Sequence, residues 1–188
     1  MSTPSVWPDD VVVFDASGVA TVRLVPLQRD DDVQWTVFDA SGRQVMAVID
    51  RAHELFLVER DRDDVSYVAK WTGNVAQLDI VDERGRFAAG LREAGATDAF
   101  RWRLLDDKGR SLVVVDDAGN LFTDDAMQRP LRVPLRLQPA RPLHSGWLAV
   151  HTLPFEVRLL LLVAHGGASS AATSSRQRLS NAPSRAPD

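Results

Sequence analysis

The chain has 188 residues and carries 22 Lys and Arg against 26 Asp and Glu, for a formal net charge of −4. Its apolar fraction of 45% and charged fraction of 26% are typical of a globular domain with a sizeable core, which excludes wholesale disorder. The mild negative charge disfavours a dedicated nucleic-acid binder. The absence of cysteine excludes disulfides, thiolate metal ligands and cysteine nucleophiles.

The two ends of the sequence differ from its body. Residues 1–10 have neither a positive cluster nor an apolar run, which predicts an N-terminal lead rather than a secretory signal. Residues 166–188 contain one large apolar residue, Leu179, and we expect a disordered tail because so little apolar surface cannot offset the entropy of ordering. Three arginines against one aspartate give this tail a charge of +2 and leave −6 for the rest. One domain is therefore predicted at 11–165.

A short motif recurs five times in the body. An Asp follows a strand-forming residue, and a Gly stands three positions after the Asp; the copies begin at Phe14, Phe38, Val81, Leu105 and Val115. Asp caps a type I turn through its side chain, and Gly accepts the positive φ that ends the turn. Each copy thus predicts a tight β-hairpin.

The segments between these turns alternate between apolar and polar residues, as in Val33, Trp35 and Val37, which is typical of half-buried strands. Their spacing predicts about twelve antiparallel strands. The predicted strands cover residues 11–15, 20–25, 33–39, 44–49, 54–59, 66–71, 76–81, 87–91, 100–105, 111–115, 120–122 and 131–137. Prolines at Pro26, Pro130 and Pro134 are expected at strand ends or edges, because proline cannot donate to a ladder.

A helix is predicted near residues 153–165, with Thr152 as its N-cap and Pro154 in its first turn. Residues 159–164 are consecutively apolar and cover every direction around a helix, whereas a surface helix would show one apolar stripe. The strands must therefore enclose it. We predict a mainly β fold, in which a closed antiparallel barrel of about twelve strands surrounds this C-terminal helix. Five tryptophans are expected to line the interior or its rim: Trp7, Trp35, Trp71, Trp102 and Trp147.

This combination resembles the superfamily of tubby C-terminal domains, phospholipid scramblases and LURP-one-related proteins. The strand number, the run WTVFDASGR at residues 35–43 and the apolar helix carry the resemblance, which covers Val11 to His165. It implies a 12-stranded barrel threaded by a hydrophobic helix. It also implies binding of phosphoinositide headgroups by basic residues on the barrel.

The candidate ligand-binding residues are four arginines whose alternation would point them outward from paired strands: Arg101, Arg103, Arg132 and Arg136. Ordinary charges on the solvent face of amphipathic strands are the alternative interpretation. The acidic segment that scramblases carry before their helix is missing here, because residues 138–147 contain no Asp or Glu. With no cysteine for acylation either, calcium-dependent scrambling is disfavoured.

Sequence motifs for catalysis are absent. The chain has no GxSxG, P-loop or GxGxxG sequence, and its four histidines lack metal-ligand spacing. Asp61, Asp63 and Asp64 form an acidic loop that lacks the Gly and distant Glu of an EF-hand, which favours a solvated turn. We therefore expect no enzyme, no cofactor and no metal. A hydrolase in a barrel mouth would require a polar cavity with paired carboxylates or a His–acid pair.

The leading hypothesis is a non-enzymatic tubby-like barrel that binds anionic lipid headgroups or a protein partner at its surface. Such a protein would be cytoplasmic and peripheral to the membrane, since residues 147–164 contain too many polar groups for a membrane span. The alternative is a β-rich structural or protein-interaction module without lipid binding. The sequence leaves the ligand and the oligomeric state open.

Deletion of residues 167–188 should leave the melting temperature nearly unchanged, because the segment offers almost no apolar surface to the core. Calorimetry of the truncated and full-length chains tests this. A loss of several degrees would show that the tail packs on the domain.

Overall fold

The structure, a computed structural model, describes residues 10–29, 32–51, 54–59, 64–72, 77–94, 100–116, 118, 120–132, 136–138 and 146–164. The predicted lead and the predicted tail lie outside the described residues, apart from Asp10. The strands are β1 Val11–Phe14, β2 Ala20–Arg29, β3 Asp32–Asp39, β4 Gln44–Arg51, β5 Glu54–Glu59, β6 Val65–Thr72, β7 Gln77–Asp82, β8 Phe87–Glu93, β9 Trp102–Leu105, β10 Ser111–Val115, β11 Leu121–Thr123 and β12 Arg136–Gln138.

All twelve strands belong to one antiparallel sheet in which chain neighbours pair from β1 to β11, and β12 pairs with β1. The mainly β prediction is confirmed. The hydrogen-bonded order has two ends, β11 and β12, so the pairing of these strands leaves the sheet unclosed. Beyond β11, Phe122 forms an isolated bridge with Pro130, and the N–H of Leu131 donates to the Leu121 carbonyl at 2.8 Å.

Four of the predicted Asp–Gly turns lie within the described residues, and each has its glycine at positive φ: Gly18 at 85°, Gly42 at 80°, Gly85 at 72° and Gly109 at 73°. The Asp39 turn shows the shared geometry. Its carboxylate accepts from the N–H groups of Ser41 at 2.9 Å and Arg43 at 3.0 Å, and its own N–H donates to the Arg43 carbonyl at 2.9 Å. In the fifth copy Asp116 bonds Asn120 in the same way, while its glycine lies outside the described residues.

These four turns follow β1, β3, β7 and β9, so in an antiparallel sheet they share one end, named here the turn end. The pairing register shifts beside each of them, as expected for a type I turn closed by a left-handed glycine. Asp82 follows Asp15, and Asp106 follows Asp39, by the same interval of 67 residues (82 minus 15, 106 minus 39). The turns therefore recur as two matched pairs.

The C-terminal helix, α1, spans residues 155–164, and seven of its ten residues are buried. The buried residues are Val157 and the complete run 159–164. They form one cluster with inward side chains from every strand from β1 to β11. Three tryptophans, Trp35, Trp102 and Trp147, are buried in that cluster, and Trp71 packs against it, while Trp7 lies outside the described residues.

The predicted N-cap of the helix is wrong. The helix begins at Phe155, and the Pro154 carbonyl accepts the first helical bond, from the Arg158 N–H at 3.1 Å. Thr152 is exposed and lies in a preceding turn that the N–H of Leu153 closes on the Val150 carbonyl. Proline suits this position because it needs no N–H partner at a helix start. A further helical turn at 146–148 was not predicted.

Three strand predictions are corrected. β2 continues through Pro26, which pairs with Trp35 of β3 and lies beyond the last described β1–β2 pair, Val11 with Leu24, so no described β1 residue needs its missing N–H. β9 begins at Trp102 rather than at residue 100. The last strand is Arg136–Gln138 instead of 131–137, since Leu131 bonds to the opposite edge of the sheet.

Among the described residues, no helix has both the length and the apolar character of a membrane span.

Replacing Leu161 with Asp should abolish folding, because the side chain is fully buried in the shared core and an unpaired charge would enter it. Circular dichroism and thermal melting test the expectation. Met127→Asp is the matched control, since Met127 is 74% exposed and its variant should melt like the wild type. A Leu161→Asp variant with native spectrum and stability would contradict the enclosure of α1.

The turns also predict acid sensitivity. The pKa of Asp39 lies below its usual 3.8, and the largest cause is the hydrogen bond from the Ser41 hydroxyl. Partial burial raises the pKa, whereas the N–H groups of Arg43 and Ser41 lower it further. The pKa of Asp15 and that of Asp82 are lowered too, with the Ser17 hydroxyl and the Arg86 side chain as the largest causes. A lowered folded-state pKa stabilises the fold above the unfolded value, and this contribution is lost as the pH falls towards the folded value.

Melting temperatures should therefore be flat near neutral pH and fall below pH about 4. In an Asp39→Asn variant the side-chain carbonyl still accepts the turn bonds but no longer titrates, so the acid fall should be smaller. An identical acid fall in both proteins would contradict this origin.

Candidate functional site

The predicted arginines on and beside β9 lie on the outer face of the sheet. Trp102 and Leu104 are buried, so Arg101 and Arg103 point to the other side. Arg101 is exposed and its N–H donates to the Val115 carbonyl at 2.6 Å. Arg103 is opposite Arg92 of β8 on one side and Val114 of β10 on the other.

Arg132 is exposed and lies in the same cross-strand row as Arg101. Trp102 is opposite Val115, and Val115 is opposite Leu121. The Leu121 carbonyl accepts from the Leu131 N–H, so Leu131 continues this row. Arg101 precedes Trp102 and Arg132 follows Leu131, which places the two arginines in the next row. Three ladder steps of about 4.8 Å place the two backbones about 14 Å apart. An extended ligand surface or two headgroups would be needed to contact both guanidinium groups.

The remaining predicted residue, Arg136, is not brought into this row. It lies on β12 opposite Phe14 of β1, at the other end of the hydrogen-bonded strand order from β9. The side chain of Arg136 lies outside what the structure describes. Three of the four arginines therefore lie on the outer face near β9, whereas Arg136 belongs to the strand that pairs with β1.

Acidic side chains pair with two of the outward-facing arginines on β8 and β9. Arg103 forms an ion pair with Asp124 at 3.2 Å, and Arg92 forms one with Asp79 at 2.5 Å. Arg92 also donates to the carbonyls of Leu78 at 2.9 Å and Leu91 at 3.1 Å, so its charge is engaged by the sheet itself. Arg101 and Arg132 make no ion pair with any described residue.

A second feature is a basin at the turn end, with a volume of about 720 Å³. Its walls include two ion pairs from matched turns, Asp82–Arg86 at 2.6 Å and Asp106–Arg110 at 2.7 Å. The other walls are Tyr67, Phe87, Ala88, Asp107, Leu112 and the segment 152–154 before α1. Among the described lining residues, three carboxylates against two guanidinium groups leave one excess negative charge.

Electrostatics in this basin follow from burial and from the surrounding acids. Burial raises the pKa of Tyr67, and the negative charges of Glu156, Asp82 and Glu59 raise it further. Burial also raises the pKa of Asp106, but bonds from the Arg110 N–H, the Arg110 guanidinium and the Lys108 N–H outweigh it and lower the value overall. The basin therefore suits a polar or cationic ligand group better than an anion.

A third feature, a smaller cavity, lies where β1 and β2 meet the first turn of α1, and Arg158 is its charged residue. Sequence reasoning did not select Arg158 or the basin. The signal for Arg158 was present, since it is the single cation that interrupts the apolar run of the last helix. The basin had no such signal, because its walls come from turns and strands far apart in the chain.

The positions of the histidines and acidic residues do not form a metal site in the described part of the chain. Within the ranges that the structure covers, no three His, Asp or Glu side chains are grouped closely enough to hold a metal ion. His151 is exposed and contacts Arg158, whereas His53, His144 and His165 lie outside the described residues. Asp61 and Asp63 lie outside them too, and Asp64 is exposed.

A scan against protein-family models and searches of curated proteins and of solved structures found no match to this chain. The tubby-like resemblance therefore stays a prediction based on architecture.

Proposed function

We propose that this chain is a non-enzymatic binding domain built as a closed, tubby-like barrel around α1. Closure is supported by the stretch 129–138, whose beginning bridges to β11 at Phe122 and whose end pairs with β1. The contribution of every strand from β1 to β11 to the cluster around α1 also supports it. Because side chains fill this interior, ligands are expected on the surface or at the rim.

The proposed ligand is an anionic surface, with phospholipid headgroups as its first example. The observation that carries this proposal is the pair Arg101 and Arg132, two exposed cations in one row without an ion pair to a described residue. Each basic residue near an anionic membrane contributes about 1 kcal/mol, and the acidic body opposes the attraction. Binding should accordingly be weak and sensitive to salt.

A protein-interaction module without lipid binding is the second candidate. The basin at the turn end favours it, because about 720 Å³ of concave surface with an excess negative charge suits a basic segment of a partner. In this case the exposed arginines would be ordinary solvent-face charges.

Vesicle flotation distinguishes the two candidates. The purified chain is mixed with neutral, phosphatidylserine and phosphoinositide liposomes at low and physiological salt. For lipid binding, the floated fraction should rise with headgroup charge and fall with salt, and an Arg101→Ser/Arg132→Ser double variant should lose most of it.

Arg84→Ser is the control variant, since Arg84 is an exposed arginine in the β7–β8 turn, at the other end of the strands from Arg101. It should float like the wild type. If the control and the double variant lost equal floated fractions, the net charge of the protein would explain the binding, and Arg101 and Arg132 would not be a specific site. An absence of flotation at either salt would overturn the lipid proposal and favour the protein-interaction module.

A further inference from the structure

The cavity beside Arg158 differs in chemistry from both the arginine row and the basin. It has a volume of about 250 Å³ and is lined by Val13, Thr21, Val22, Leu148, Phe155, Arg158 and Leu159. Among the described residues of this lining, Arg158 and Thr21 are the two with polar side chains, and the Thr21 hydroxyl is already bonded to the Val13 carbonyl at 3.1 Å. The described lining is thus apolar apart from Thr21 and one cation.

Arg158 uses one edge of its guanidinium for the protein. Nη1 donates to the Leu148 carbonyl at 2.6 Å and lies 3.1 Å from Nδ1 of His151, while the guanidinium carbon is 5.5 Å from the centre of the Phe155 ring. Nε is buried and has no hydrogen-bond partner among the described residues, and the hydrogen bonds of the guanidinium to described residues come from Nη1. Because an oxygen atom cannot reach the buried Nε, Nη2 is the donor that remains for a ligand.

The charge of Arg158 is also uncompensated at close range. Within the described part of the chain no carboxylate lies within ion-pair distance, and Glu156 acts on it only through longer-range attraction. Burial lowers the pKa of Arg158, which means that the surroundings disfavour its charged form. A partly buried cation without a counter-charge is costly, and an anion placed beside its Nη2 would reduce that cost.

We propose that this cavity binds a small monocarboxylate with a short aliphatic body. The carboxylate would accept a charge-assisted hydrogen bond from Nη2 of Arg158. The aliphatic body would contact Val13, Val22 and Leu159. At about 30 Å³ for each water-sized group, the volume fits about eight heavy atoms, close to the size of hexanoate.

The charge and polarity of the chamber distinguish this ligand from other anions. A phosphate dianion has stronger hydration, which an apolar chamber with a single guanidinium would not replace. A neutral alcohol would offer the guanidinium no acceptor of full charge, and an alkylamine would add a like charge. This pocket is separate from the outer arginine row, so the inference does not depend on the proposed function.

Thermal melting and titration calorimetry with butanoate, hexanoate and octanoate test the proposal, with hexanol and hexylamine as matched probes. Hexanoate should bind at one site and raise the melting temperature, whereas hexanol and hexylamine should bind at least tenfold more weakly. Arg158→Met, which keeps the length but removes the charge, should weaken hexanoate binding at least tenfold. Arg84→Met is the matched control and should bind as the wild type does.

Val22→Phe supplies a second variant, which fills the chamber while Arg158 stays in place. It should also lose hexanoate binding, so the proposal remains testable if Arg158→Met does not fold. The Arg101→Ser/Arg132→Ser variant should retain hexanoate binding, which separates this site from the surface. Equal binding of hexanoate and hexanol, unchanged binding in a folded Arg158→Met or Val22→Phe variant, or no binding at millimolar hexanoate would each overturn the proposal.

Discussion

The structure depends on the burial of one apolar helix on all its sides. The run 159–164 is buried without interruption, so neighbours are needed in every direction around an axis about 15 Å long. Each strand offers one inward face of alternating residues, and eleven strands supply side chains to the cluster that contains α1. A sheet with fewer strands would leave part of the helix in water, which links the large strand number to the single helix.

Tight local turns make such a sheet possible in a short chain. Each Asp–Gly turn satisfies its own backbone groups, as Asp39 does with Ser41 and Arg43, and therefore needs no help from distant residues. Because the matched turns follow odd-numbered strands, their carboxylates gather at the turn end. Arg86 and Arg110 pair with two of those carboxylates and form walls of the basin, so turn chemistry also determines the polarity of this concavity.

Most of the arginines discussed here have an acidic partner nearby, and the exceptions suggest where ligands bind. Arg101 and Arg132 are exposed to water, where an unpaired charge costs little, so they support an anionic partner only weakly. Arg158 differs because its partial burial disfavours the charged form and no described carboxylate forms an ion pair with it. The physical argument for a ligand is therefore stronger at the cavity beside Arg158 than at Arg101 and Arg132 on the outer face.

The sequence by itself determined the strand number, the hairpin turns and the burial of the last helix. These features depend on local chemistry: the period of two in strands, the Asp and Gly requirements of a turn, and an apolar run too wide for a surface helix. Only the tertiary structure decided that the helix begins at Phe155, that β2 continues through Pro26 and that Arg136 pairs with β1 instead of joining the row of Arg101 and Arg132. It alone revealed the cavity beside Arg158, because cross-strand register and unequal burial arise between segments distant in the chain, where no local pattern records them.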